Sequence, residues 1–172
     1  MVWDCLLQLL SARGFRSKWC KWTFNLLSTS KSSIFINGKP GRNFQHSKDL
    51  GQGDALSPQL LLLVADTLDR VFKRAASNNL IVGISPLQIT GQMQRLQFAD
   101  DTLLFCNADV VHVHNLKFIL YSYELLTGLQ IDFQKSYVLG IRLSNSQVSM
   151  FANILGSKKA EFPITYSGIL HH

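Results

Sequence analysis

Acidic residues are scarce in this sequence, and cysteines scarcer. The 172 residues hold 11 Asp and Glu against 17 Lys and Arg, for a net charge of +6. Cys5, Cys20 and Cys106 are odd in number and irregularly spaced, which fits neither a disulfide framework nor a zinc site and makes a reducing compartment the simplest reading. Long apolar runs are also missing: the longest, Leu60 to Ala65, is far short of the ~18 residues of a membrane span. The chain opens on no basic, apolar, small-residue signal pattern, so secretion is not expected. Repeats, low-complexity tracts and linkers are absent too. What is present is 47% apolar residues, enough for one packed domain over residues 1–172, and the elements along it read as a mixture of α and β, an α+β class.

The charge is uneven. Residues 1–48 carry Arg13, Arg16, Lys18, Lys21, Lys31, Lys39, Arg42 and Lys48 against Asp4, for +7, whereas the remainder sums to −1. A phosphate backbone is one natural partner for such a segment, and an ordinary solvated basic face is the other reading.

In chain order, Trp3, Leu6, Leu7 and Leu10 mark a helix face, with Gly14 placed to end the helix. Ser17 is expected to cap a second helix with Trp19, Trp22 and Leu26 turned inward as core, and Lys18 and Lys21 outward. Ile34-Phe35-Ile36 predicts a strand running into an Asn37-Gly38 hairpin turn, extended by Pro40 to Arg42 before a return strand near Phe44 to Ser47. Ser57-Pro58 starts a helix lined by Leu60, Leu61, Val64, Leu68, Val71 and Phe72. Asp66/Arg70 and Asp69/Lys73 read as solvated i,i+4 pairs on its other side. Asp109 caps a helix with Val110, Val113, Leu116, Ile119, Leu120 and Tyr123 on one face and Gly128 at its end. His112 and His114, two apart, cannot share a metal. Leu129, Ile131 and Phe133 alternate as a strand, and a last helix over 147–155 is closed by Gly156.

Two stretches carry chemistry. In Leu50-Gly51-Gln52-Gly53-Asp54-Ala55-Leu56-Ser57-Pro58, glycines flank Gln52, so the backbone can approach another chain or a phosphate closely, or simply turn tightly. In Leu96-Gln97-Phe98-Ala99-Asp100-Asp101-Thr102-Leu103-Leu104-Phe105-Cys106, a half-buried alternating strand and a more buried one from Leu103 to Cys106 flank two adjacent carboxylates. Such a doublet is costly unless a hard cation or several donors compensate it, although Asp is also an ordinary turn residue.

In this order the signals resemble the reverse transcriptase domain of plant-type non-LTR (LINE-like) retrotransposons along essentially the whole chain. Residues 50–58 are similar to that family's Gln-Gly-Asp-Pro-Leu-Ser-Pro motif and Phe98-Ala99-Asp100-Asp101 to its aromatic-Ala-Asp-Asp motif. Gly128 to Ser136, with Lys135, resembles the motif that follows, and Phe162 to Gly168 the join of palm and thumb. The resemblance implies a polymerase palm, a ferredoxin-like antiparallel sheet with packed helices. It also implies two Mg²⁺ ions, an RNA template, a DNA primer and dNTPs. It makes Asp100 the principal metal ligand and Asp101 a supporting one. Gln52, Gly53 and Phe98 then fall at the primer, template base or nucleotide, and Lys135 near the triphosphate.

Departures from the family are expected to matter. Its first metal-binding aspartate precedes a Val-x-Trp segment, and Met1-Val2-Trp3-Asp4 starts after that point. Asp4 falls where the family is entering a helix and is no substitute. The fingers and a complete thumb are likewise not found in these 172 residues. Gly51 stands for a usual arginine, Ala55 for proline, Asp132 for asparagine and Ser167 for leucine. Two expectations follow: a reverse transcriptase palm, active here or in a longer product of the same locus, or a non-catalytic relic binding nucleic acid weakly through its basic N-terminal third, with the isolated 172-residue chain expected to be inactive. Loss of a strand beside the acidic hairpin is also expected to leave an apolar sheet edge open to self-association.

Overall fold

The computed structural model describes residues 1–47, 56–84, 95–98, 101–162, 164–166 and 169–171, with backbone alone at Phe98, 164–166 and 169–171. The class is α+β. The chain divides into two compact units, Met1–Thr67 with Leu125–Leu129, and Leu68–Glu124 with Gln130–His172.

In the first unit, α1 (Trp3–Ala12) buries Leu6 and Leu10. Gly14 ends it as expected: at φ +82° it lets its own N–H reach Ser11 O (3.0 Å) and the Phe15 N–H reach Leu10 O (3.1 Å), satisfying two orphan carbonyls. The second helix, α2 (Ser17–Thr29), departs from expectation twice. Arg16, not Ser17, holds the cap position, and no side chain caps there. The core stripe is Thr23 and Leu27, while Trp22 is 55% exposed and Leu26 62%. Two stripes roughly 100° apart compete on this helix, and the one carrying the small Thr23 lets a neighbour approach more closely.

The strands β1 (Lys31–Ser32), β2 (Phe35–Ile36), β3 (Lys39–Pro40) and β4 (Phe44–Gln45) form nested antiparallel pairs, β2 with β3 and β1 with β4. Asn37 (φ +50°) and Gly38 (φ +77°) make the tight turn the sequence announces. The return begins at Lys39, earlier than expected, because a two-residue turn leaves no slack for Pro40 to extend it. Residues 125–129 dock on the N-terminus: the Val2 N–H donates to Thr127 O at 2.8 Å, and Gly128 lies so close to Val2 that a Cβ would meet its Cγ2 at 2.6 Å.

The helix α3 (Ser57–Ser77) includes Ser57 as its first residue. Leu60, Val64, Leu68 and Phe72 are buried as expected, Leu61 is 37% exposed, and Val71 is half-buried. In the second unit follow β5 (Arg95–Phe98), β6 (Asp101–Leu104) and α4 (Val110–Thr127), which crosses into the first unit at its end. Asp109 caps α4, its Oδ1 accepting from Val111 N (2.8 Å) and His112 N (3.2 Å). Val113, Leu116, Ile119, Leu120 and Tyr123 are buried, but Val110 is 41% exposed.

The strand expected over Leu129, Ile131 and Phe133 does not form. The Ile131 N–H donates to Glu124 Oε1 (2.5 Å), Phe133 N–H to Ile131 O (3.0 Å), and Lys135 N–H to Asp132 O and Oδ1 (3.1 Å each), so the backbone is drawn into turns. The ladder comes later: β7 (Tyr137–Val138) pairs in parallel with β8 (Lys158–Lys159) across α5 (Asn145–Leu155). A parallel pair needs such a crossover. α5 starts two residues earlier than expected, because Ser144 and Gln147 form a reciprocal capping box, and Gly156 closes it at φ +79°. Last, β9 (Ile164–Tyr166) pairs antiparallel with β10 (Ile169–His171). Among the described residues every sheet is two-stranded, and no helix is long and apolar enough to cross a membrane.

Candidate functional site

Asp101, the second residue of the acidic doublet, lies on the β5–β6 hairpin. Its register pairs Arg95 with Leu104, Leu96 with Leu103, Gln97 with Thr102 and Phe98 with Asp101. Two residues, Ala99 and Asp100, connect the strands. Asp101 therefore opens the return strand, two residues before the expected start at Leu103. Cross-strand partners share a face, so Phe98 and Asp101 lie on one side and Arg95 and Gln97 on the other.

Neither side is uniformly buried, Gln97 and Thr102 being exposed and Leu103 and Leu104 half-buried, and two residues of β5 depart from the expectation. Leu96 is 45% exposed, while the Arg95 side chain is 11% exposed. Arg95 donates to Gln97 Oε1, and its Nη2 stands 3.7 Å from Asp69 Oδ1 on α3. Asp69 also pairs with Lys73 at 2.7 Å. A guanidinium thus anchors the base of the hairpin to the helix. Beyond β6, the Asn107 N–H donates to Val82 O (2.9 Å) and Asn115 Nδ2 to Leu80 O (2.7 Å), next to the buried Ile81. By its spacing alone Asp69 reads as solvated surface. A charged residue one step out of phase with the leucine was the available signal.

Of the expected site residues, Asp101 is exposed on a paired strand. Asp100, Gln52 and Gly53 lie outside the described residues, as does the Phe98 side chain. Lys135 projects into solvent, 86% exposed, with Asp132 Oδ2 at 3.5 Å. Among the described residues no bond joins it to the hairpin, and no three His, Cys, Asp or Glu side chains gather as metal ligands. A depression of about 660 Å³ is lined by Lys117, Tyr121, Asp132, Phe133 and Gly156 among others. Lys117 there donates to Ile154 O at 2.5 Å, capping the end of α5, so its ammonium is already engaged. Cys106, just past the hairpin, has its thiol pKa pushed up by burial, as does Cys5 on α1.

The described residues thus give an α+β chain with an antiparallel hairpin whose return strand opens at Asp101. The family model for reverse transcriptase (RNA-dependent DNA polymerase) matches residues 1–162, and the chain belongs to that family. An uncharacterized mitochondrial protein of Arabidopsis thaliana is 37% identical over 69 residues, which are 40% of this chain and 57% of that protein.

Proposed function

We propose that residues 1–172 are a single piece of the palm of a non-LTR, LINE-like reverse transcriptase, with Asp100 and Asp101 as its metal-binding carboxylates. The observation that carries this reading is the hairpin register, in which Phe98 faces Asp101 across a two-residue connection. Hard oxygens at the end of a paired strand suit one edge of an octahedral magnesium site. Asp100 would be the principal ligand and Asp101 the supporting one, and Mg²⁺ held there neutralises charge during nucleotidyl transfer. Gln52, Gly53 and Phe98 are assigned to positioning the template base, primer and dNTP. Lys135 is assigned to the triphosphate. Its solvated pair with Asp132 is weak enough for a polyphosphate to displace.

A magnesium pair at about 3.5–4 Å needs a further carboxylate besides one doublet. The 172-residue polypeptide by itself is therefore expected not to extend a primer, and RNA template and DNA primer bind through the basic N-terminal part. Arg16, Lys18, Lys21, Lys31, Lys39 and Arg42 are all exposed, which also favours the second reading, a relic that binds nucleic acid without catalysis. Ile34, Phe35 and Ile36, each 65–69% exposed on and beside the nested strands, support self-association, which light scattering reads directly; a monodisperse monomer would contradict it.

The test is primer extension on an RNA template with Mg²⁺, beside fluorescence anisotropy of the same RNA–DNA primer-template. Salt-sensitive binding without extension is expected. Extension by the wild type that disappears in Asp100→Asn would overturn the inactivity, and no binding at low salt would overturn the nucleic-acid reading.

A further inference from the structure

The three tryptophans divide into two kinds. Trp19 lies 4.8 Å from the Phe15 ring, and Trp3 on α1 lies 6.4 Å edge-on from Phe24, so each has an aromatic neighbour. Trp22 has a cation: Lys18 Nζ stands 4.9 Å from its ring centroid, and over half of the residue remains open to solvent. On the helix, Lys18, Lys21, Trp22, Asn25 and Leu26 fall on one arc, opposite the buried Thr23 and Leu27, and all five are exposed. No acid occurs anywhere in α2. The face therefore joins an indole, aliphatic surface and two ammonium groups with nothing on the helix to neutralise them.

From this juxtaposition we infer that the outward face of α2 is a stacking platform for single-stranded RNA, with Trp22 receiving a base and Lys18 and Lys21 the flanking phosphates. The inference rests on the nucleic-acid reading above and gives it a specific surface. Charge selects the occupant. A second copy of this chain would bring lysines against lysines, and a duplex hides the base faces that an indole can stack on. An unpaired strand offers phosphates and open π-faces together. The ammonium lies over the ring, so a stacking base takes the other face or displaces the cation, which then meets the phosphate flanking that base.

The experiment titrates the full chain with a single-stranded oligouridylate and with a blunt RNA duplex, reading tryptophan fluorescence and the anisotropy of labelled RNA. Oligouridylate is expected to quench the wild type. Trp22→Phe should bind within about threefold of wild type with the quench lost, because a phenyl ring still stacks. Trp22→Ala should weaken single-strand binding about five- to a hundredfold and leave duplex binding unchanged. Lys18→Ala should lower the slope of log affinity against log salt by about 0.7. Far-UV circular dichroism checks that each variant folds, which the exposure of both side chains favours. If Trp22→Ala binds single strands as well as the wild type, the platform is wrong while the broader nucleic-acid reading stands. Quenching by polyglutamate, or by raising the chain concentration alone, overturns the platform in favour of an acidic peptide or a second copy. If no RNA binds to any form, both readings fall.

Discussion

Removing Asp69 should damage the acidic hairpin more than removing the arginine it pairs with. The Arg95 side chain is 11% exposed and Asp69 31%, with 3.7 Å between their charged atoms. At an effective dielectric constant of about 20 the gross attraction is about 4–5 kcal/mol, and desolvation of the guanidinium offsets most of it. Asp69→Ala leaves a nearly buried cation with Gln97 as its remaining named partner, at a cost of about 3 kcal/mol. Arg95→Leu removes the cation altogether and leaves Asp69 with Lys73 at 2.7 Å and with water, at a cost below about 1 kcal/mol. Amide hydrogen exchange of the segment 95–104 reads this locally. Asp69→Ala should lower its protection about a hundredfold and Arg95→Leu less than tenfold, with the double variant resembling Arg95→Leu. Equal losses, or a larger loss in Arg95→Leu, would refute the anchoring of the hairpin by a half-buried ion pair.

Gly128→Ala should destabilise the chain by about 1–2 kcal/mol in urea unfolding, since the residue holds φ +68° and the new Cβ would strike Val2 Cγ2. A change below about 0.5 kcal/mol would mean that residues 125–129 do not dock on the N-terminus. Ser144→Ala should cost about 1 kcal/mol through loss of the capping box, whereas Ser17→Ala, at a position without a side-chain cap, should stay within about 0.5 kcal/mol. Reversal of that order in thermal denaturation contradicts the assignment of the helix starts. Burial raises the Cys5 and Cys106 thiols above their ordinary value, so at pH 8 both hold less thiolate and should alkylate with iodoacetamide more slowly than in the urea-unfolded chain. Stability from these thiols is present at low pH and is lost as pH rises through the folded-state pKa, because the folded state holds the proton longer. Equal alkylation rates in the two states count against their burial.

What could be read from the sequence was set by how local each signal is. Gly14, Gly156, Asp109 and the Asn37-Gly38 turn each act through backbone geometry within four residues, and each does what its residue type dictates. The face of α3 is legible for a related reason: one dominant apolar stripe leaves a single way to bury the helix, whereas α4 is apolar on several sides and leaves Val111, Phe118, Leu125 and Leu126 exposed. α2 has two, and nothing within the helix decides between Trp22/Leu26 and Thr23/Leu27, since the choice belongs to the neighbour that packs on it. The hairpin failed in the same manner. Period two says only that alternate residues share a face, and Leu96 was assumed to turn inward because leucine usually does. Asp69, far away in sequence on α3, gives Arg95 a partner and draws its side chain in, while Leu96 stays 45% exposed. At 129–133 the alternation was real but the hydrogen bonds went to Glu124 and Asp132, acceptors that apolar periodicity does not register. On α2 and at β5 the choice of buried side thus depends on a neighbour remote in sequence, whereas at 129–133 it is nearby polar acceptors that displace the strand. The exposed Trp22 is informative in the same way: among the described residues its named neighbour is Lys18, and over half of it stays open to solvent.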